Sequence, residues 1–474
     1  MTAIERPDRQ APGTEFLVDE DGSTTTHSYQ HICCGNRRVI LVPQPSLTDP
    51  NDPLLWPRWK KWLVLGNGLF YAFNGAVTGP MMAGACIWLA IASKTTFTSF
   101  IVARAFLGLW EAPIEAIVPS TITDIFHLHE RGEQVSYYGL TVLVGNEIGP
   151  LVSAFIIQAL DMRWAFFIVA MSIGVNIISM VVSMPETMYH GDRPVINPVR
   201  TDTEKPTKNF EHIDNPSNGS APPVTAKKRS FLQDLLYFHA NKDMSLWKVF
   251  KRPFILMAYP TVLWSSLVYG MSLSWNVILG ATVAQLFAPP PYNFSSGSQG
   301  LIFVSPFIGS LVGSYFCGRL TDQVATWFTV RNNGVREPEM RLPTCILAAI
   351  LTFLGALISS LTYHYKTHWA GPIVGFGILS AGSQMGATLA ISYCLDCHQE
   401  LSAESMVTVS CLKSTVAWIW TWCINDWISQ NGLLVVFMSV AAVNMAVYAT
   451  TLIFYFHGKS IRTWIHKKGF LLSE

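Results

Sequence analysis

From residue 62 onward the chain alternates long apolar runs with short clusters of charge and proline. The runs fall roughly at 62–92, 98–123, 135–159, 164–184, 254–287, 298–318, 342–363, 370–394, 406–428 and 432–456. A helix needs about 20 apolar residues, at about 1.5 Å each, to cross the hydrocarbon core of a bilayer. The pattern therefore predicts an all-α membrane protein with about ten transmembrane helices. Four lie in an N-terminal bundle at 62–184 and six in a C-terminal bundle at 253–457, joined by a polar loop at 185–252. Polar tails are expected at 1–61, disordered by composition, and at 458–474. The first run is too long for one upright helix, and a single tilted or kinked span is expected for it.

Charge supports this layout. With loops assigned to alternate sides, 27 of the 32 lysines and arginines fall on one side. Three fall on the other (Lys94, Arg163, Lys366) and two inside spans (Arg104, Lys413). The positive-inside rule then puts both termini and the 185–252 loop in the cytoplasm. A break at Gly79-Pro80 into two crossings would reverse the basic loop and is rejected on that ground. The expected location is multi-pass in a membrane, the plasma membrane being the expected one.

Composition fits the same class: 50% of residues are hydrophobic, 13% are charged, and mean hydropathy is +0.31. A net charge of +1, with no basic patch interleaved with aromatics, gives no footprint for nucleic acid. No nucleophile–base pair, metal-ligand spacing or phosphate loop is visible, so no enzyme, cofactor or metal is expected. Cys394-x-x-Cys397-His398 matches the haem-attachment string, but it stands at the end of a span with no other haem feature and is read as coincidence. The remaining cysteines read as small core residues. Adjacent Cys33 and Cys34 are the one pair open to acylation. The first 30 residues lack a signal-peptide core, leaving the first span to direct insertion.

Charges within apolar runs are where function is sought, because each costs about 2.5–3.5 kcal/mol at mid-bilayer on insertion scales. On a continuous helix over 98–123, Arg104, Gly108, Glu111 and Glu115 share one face within about 60°. That face is either a proton-coupling or substrate surface, or a static Arg–Glu pair holding helices together. In the next span Gly145 and Gly149 share a close-packing face, with Pro150 bending the helix. Glu147 points about 160–200° away and is expected to line a polar space. Lys413 lies about two turns from the inner end of its span and is a further proton-coupling or substrate candidate, snorkelling to water being the other explanation. Gln384 and Thr388 are candidates for the same cavity.

The halves also echo each other. Asn67, Tyr71, Asn74 and Thr78 form a polar stripe on the first span; Ser265, Tyr269, Ser272 and Asn276 form one on the first span after the loop. Matching stripes suggest a shared central cavity, ordinary interhelical hydrogen bonding being the other explanation. Asn293-Phe294-Ser295 is a glycosylation sequence in an outer loop.

Together these residues carry a resemblance. Arg104-x-x-x-Gly108, Gly145-x-x-x-Gly149-Pro150 and Pro185-Glu186-Thr187 look like signature runs of the major facilitator superfamily, and of its fungal drug:proton antiporter group in particular. Asp49-Pro50-Asn51-Asp52-Pro53-x-x-Trp56 resembles the segment before that group's first helix. Gly318-Arg319-Leu320-Thr321-Asp322 is similar to its second-half loop motif, and Arg336-Glu337-Pro338-Glu339-Met340-Arg341-Leu342-Pro343 to the loop that follows. The resemblance spans about 45–465 and implies a two-bundle transporter of twelve helices. Against that pattern, the text passes from Gly79-Pro80 to Cys86-Ile87-Trp88 as though half of helix one, all of helix two and half of helix three were missing. Trp110 and Glu111 stand where the family has small residues. A gap in the first bundle is expected from the loss.

The expected function is proton-coupled export of a drug or secondary metabolite by a monomer. Glu111, Glu115 and Glu147 would handle protons, with Arg104 tuning them. Uptake of a cationic nutrient such as a polyamine is one alternative; a remnant or sensor that does not transport is another.

Overall fold

The computed structural model describes residues 15–16, 31–34, 37–40, 43, 45–46, 49–74, 79–93, 96–112, 114–189, 191, 229, 231–236, 246–332, 335–398 and 401–468. Two-residue and four-residue strands, β1 (Glu15–Phe16), β2 (His31–Cys34), β3 (Arg37–Ile40) and β4 (Val335–Arg336), pair antiparallel as β1–β4 and β2–β3. Everything else of weight is helical. The tail is not wholly without structure: Asp52 is fully buried and accepts hydrogen bonds from the backbone of Ser46 (2.9 Å) and Leu54 (3.0 Å). These bonds fix the turn that leads into the first helix.

The first half comprises α1 (Arg58–Asn74), α2 (Gly79–Ala92), α3 (Phe97–Glu111), α4 (Ile114–Ile125), α5 (Leu128–Ala159) and α6 (Met162–Ser183). Two short helices follow, α7 (Phe231–Leu236) and α8 (Leu246–Leu256). The second half contains α9 (Pro260–Phe287), α10 (Ser296–Leu301), α11 (Val304–Arg331), a 3₁₀ turn (Pro338–Thr344), α12 (Cys345–His364), α13 (Ala370–Cys397), α14 (Ser402–Ala449) and α15 (Thr451–Lys468). Proline at the first position starts α9, where its missing N–H costs nothing. Within α14, Gly432 has φ 77° and ψ 160°, a conformation glycine alone adopts freely. The helix breaks there, between the two expected spans.

Among the described residues, seven helical runs are long and apolar enough to cross a membrane. The ten crossings expected are therefore not matched one helix to one span. The 64-residue run Ser402–Ile465 is long enough for two. In the first half, two of the four expected spans, 62–92 and 98–123, are each represented by two described helices. The run at 62–92 is two helices of 17 and 14 residues, about 25 and 21 Å long at 1.5 Å per residue, each short of the bilayer core. They pack at opposite ends of the bundle: Asn67 on α1 bonds Ser179 and Ser183 near the end of α6, and Trp88 on α2 donates to Ser99 near the start of α3.

Packing differs sharply between the halves. In the most apolar windows of α9 and α13, 72% and 78% of residues are buried; for α5 and α6 the shares are 6% and 11%. In lipid, helices associate mainly through close contact of small residues. The second half has many such contacts: a Cβ on Gly309 would strike the backbone of Gly377, one on Gly313 the backbone of Ala381, and one on Gly355 that of Leu379. The glycines singled out by sequence are looser. Gly108 and Gly149 face open space, and a Cβ on Gly145 would make only ordinary contact, 3.6 Å, with Phe73. For Gly108 and Gly149 the expected close-packing role is not seen among the described residues, and for Gly145 the neighbour is α1 at ordinary distance. Helix α5 continues through Pro150.

Candidate functional site

Two helices of the first half, α4 and α5, face the second half, and polar side chains meet along that seam. At its centre Lys413 on α14 pairs with Glu115 on α4. The lysine also donates to the hydroxyl of Tyr269 on α9 (3.2 Å), and its Nζ lies 4.5 Å from that ring's centroid. Lys413 is 1% exposed, so it is buried rather than snorkelling. The reason is that a carboxylate from the other half reaches it first. Tyr138 on α5 is fully buried and lies within electrostatic reach of Tyr269, Glu115 and Tyr71. Tyr71 and Tyr269, one from each polar stripe, thus both lie within electrostatic reach of Tyr138.

A second junction lies along α5. Glu147 is 2% exposed, and its Oε1 accepts hydrogen bonds from Ser310 on α11 (2.8 Å) and Ser380 on α13 (2.6 Å). The two serines also lie 2.8 Å apart. No cation stands beside this carboxylate among the described residues, and Oε2 accepts no hydrogen bond there. Further along α5, Ser136 meets Ser314 (3.0 Å). A Cβ on Gly139 would lie 2.9 Å from Thr388 Oγ1 and 3.4 Å from Gln384 Nε2. Gln384 and Thr388 therefore line the same seam. Ser310, Ser380 and Tyr138 were not anticipated; their only signal is small or hydroxylated residues recurring at helical spacing.

Arg104, Gly108, Glu111 and Glu115 are not carried on one described helix. Helix α3 ends at Glu111 and α4 begins at Ile114, so Glu115 stands on a separate helix. Pro113 carries the signal, since a proline disfavours helix just before it. Arg104 is exposed and lies over the rings of Phe100 (5.4 Å) and Phe166 (5.6 Å), and among the described residues it makes no ion pair. The static Arg–Glu pair is absent too. Glu111 is exposed, within electrostatic reach of Glu115, Lys413 and Arg104. The rest of each polar stripe disperses: Asn67 turns to α6, and Ser272 to Tyr448 at 3.3 Å. Asn276 is 8% exposed, with neither side-chain polar atom bonded among the described residues. Thr78 and the side chain of Asn74 lie outside the described residues.

At the end of the second half near the 185–252 loop, Asp322 on α11 faces Arg336 (3.8 Å) and Arg341 (3.6 Å), and Arg341 reaches Asp396 (3.2 Å). A Cβ on Gly318 would sit 3.5 Å from Ser136, so this motif also borders the seam. Glu339 holds Arg462 of α15 through two bonds of 2.8 and 2.6 Å. Cys394 and Cys397 are wholly buried, and His398 bonds Thr261 at 2.7 Å. At the opposite end Asn293 is exposed. A cavity of about 1050 Å³ is an open apolar groove lined by residues such as Ile308, Val312, Leu351 and Ile378; none of the candidate residues is in its lining.

Two sets of helices joined by a polar seam, with paired and unpaired charges at mid-helix, define a class: a multi-pass membrane transporter built for a small molecule. The chain belongs to the Major Facilitator Superfamily, whose sequence profile matches residues 64–406. Protein HOL1 of Saccharomyces cerevisiae is 22% identical, the match covering 92% of each chain. The uncharacterized MFS-type transporter C1271.10c of Schizosaccharomyces pombe is 24% identical over 97% of this chain and 94% of its own. Those two alignments run over 545 and 553 positions, more than the 474 residues of this chain, so both relatives carry stretches with no counterpart here. The structure of the proton:xylose symporter XylE shares the fold, with a TM-score of 0.50, 10% identity and 84% of each chain covered.

Proposed function

We propose that the chain is a proton-coupled exporter of the fungal drug:proton antiporter group, moving a small, apolar or cationic drug or secondary metabolite by opening its two halves alternately. One observation carries the reading: Glu147, buried at the seam, is held by a serine hydroxyl from each of two second-half helices and, among the described residues, has no cation beside it. Opening the seam takes this carboxyl away from Ser310 and Ser380 and gives it to water. Closing it again buries a charge unless a proton has come with it, and an uncompensated buried charge is expensive. Protonation and closure are thereby linked, which is what coupling requires. The protein would act as a monomer in the plasma membrane, both termini cytoplasmic, with any glycan on Asn293 outside. In vesicles, pH-gradient-driven flux of a fluorescent drug should vanish with Glu147→Gln; flux that keeps its full pH dependence would overturn the reading.

Uptake of a cationic nutrient such as a polyamine shares the same site and differs in direction. Raised accumulation on expression, in place of raised resistance, would favour it. A non-transporting remnant or sensor is a second reading, supported by the thin packing of α5 and α6. It prevails if the protein reaches the membrane while neither resistance nor accumulation changes.

A further inference from the structure

The centre of the seam already contains an organic ammonium, and it belongs to the protein. Lys413 Nζ has a carboxylate (Glu115), a phenol oxygen and a ring face (both from Tyr269) around it. A carboxylate and an aromatic face are the features that recognise ammonium ligands. The surroundings offer more than one lysine uses. Glu115 Oε2 is buried and accepts no hydrogen bond among the described residues. Tyr138, wholly buried in the same cluster, has a hydroxyl that is likewise unbonded there. A second carboxylate, Glu111, is exposed and within electrostatic reach of both Glu115 and Lys413. The lysine backbone is pinned, since a Cβ on Gly270 would lie 3.2 Å from its Cα. Only the side chain has freedom to move.

We propose that Lys413 is a tethered occupant of a substrate site for organic ammonium compounds. The ammonium of a substrate with an apolar body takes the place of Lys413 Nζ at Glu115, Tyr269 and Tyr138, and the lysine swings to Glu111. Two carboxylates then serve two cations, so no charge is left unpaired. This names the substrate class for the export function and rests on that reading.

The test measures binding, which needs no gradient. Purified full-length protein in lipid nanodiscs is titrated near neutral pH with dansylcadaverine, a primary ammonium on a fluorescent apolar body. Its N-acetyl derivative serves as the uncharged control and dansylglycine as an anion. Dansylcadaverine should bind saturably and the acetyl derivative far more weakly. Glu115→Gln should weaken dansylcadaverine binding by about thirtyfold, the loss expected when one partner of a buried charge pair is removed. Lys413→Gln should tighten it by about tenfold, because the competing occupant is gone. Loss of binding in Lys413→Gln, or binding of dansylglycine in place of the amine, would overturn the proposal. The double variant Glu115→Gln/Lys413→Gln leaves neither charge stranded and guards against misfolding. It should unfold at a temperature near that of the parent and show no preference for dansylcadaverine over the acetyl form; a retained preference also overturns the proposal. If ammonium binding fails while flux still depends on Glu147, the site assignment alone is lost.

Discussion

Lys413 on α14 and Glu115 on α4 form an ion pair that ties the two halves together across their seam. The lysine side chain is 2% exposed and the glutamate side chain 25%. The two ends of the pair therefore differ in what breaking it costs. Glu115→Gln strands a fully buried ammonium and should destabilise the protein by about 3–5 kcal/mol. Lys413→Gln leaves a carboxylate that water partly reaches and should cost less. The double variant should recover most of the loss. Unfolding midpoints in detergent check this; equal losses in the two single variants would mean the pair is not buried as described.

Glu147 separates stability from transport. In Glu147→Gln the amide oxygen still accepts from Ser310 and Ser380, so the thermal midpoint should stay close to that of the parent. Uphill, gradient-driven flux should disappear while substrate exchange at equal pH persists. A variant that loses both would place Glu147 in substrate binding rather than coupling.

Solvent access distinguishes the two seam acids. Cysteine at position 111 should react with a water-soluble thiol reagent, because Glu111 is exposed. Cysteine at 147 should be protected in this arrangement and become reactive only when the seam opens. Reaction at neither position, from either side of the bilayer, would argue against a wet pathway between the halves.

Which parts of this were legible in the chain follows from what each signal depends on. Long apolar runs and one-sided lysine and arginine mark a multi-pass helical protein, because both respond to the bilayer, a solvent the sequence meets everywhere. Glu147 was legible for the same reason: a lone acid opposite a small-residue face needs a polar partner, whichever helix provides it. Its partners were not, since Ser310 and Ser380 become special only when α11 and α13 are brought to α5. The shared face from Arg104 to Glu115 assumes an unbroken helix, and Pro113 is the residue in the sequence that argues against one. Of the two readings of Lys413, spacing could not choose, because it measures distance to water along its own helix and is blind to a carboxylate arriving from another. Gly108 and Gly149 read as contact glycines from their spacing, but spacing alone does not say which helix, if any, lies opposite them.

His398 gives the protein an acid limit outside the spans. It follows α13, bonds Thr261 at 2.7 Å and rests against the ring of Tyr259 (5.6 Å). Burial, together with the charge of Arg462, pushes its pKa down to about 4 from 6.5. Between those values the unfolded chain takes up a proton that the folded protein refuses. Stability from this group is therefore complete above pH 6.5 and is lost as pH falls toward 4, by about 3 kcal/mol in all at 1.36 kcal/mol per unit. Unfolding midpoints measured across that range should decline on the acid side. His398→Gln keeps a hydrogen-bonding group for Thr261 but cannot titrate, so its decline should be shallower by that amount. A variant whose acid-side slope matches the parent would show that another group sets the limit.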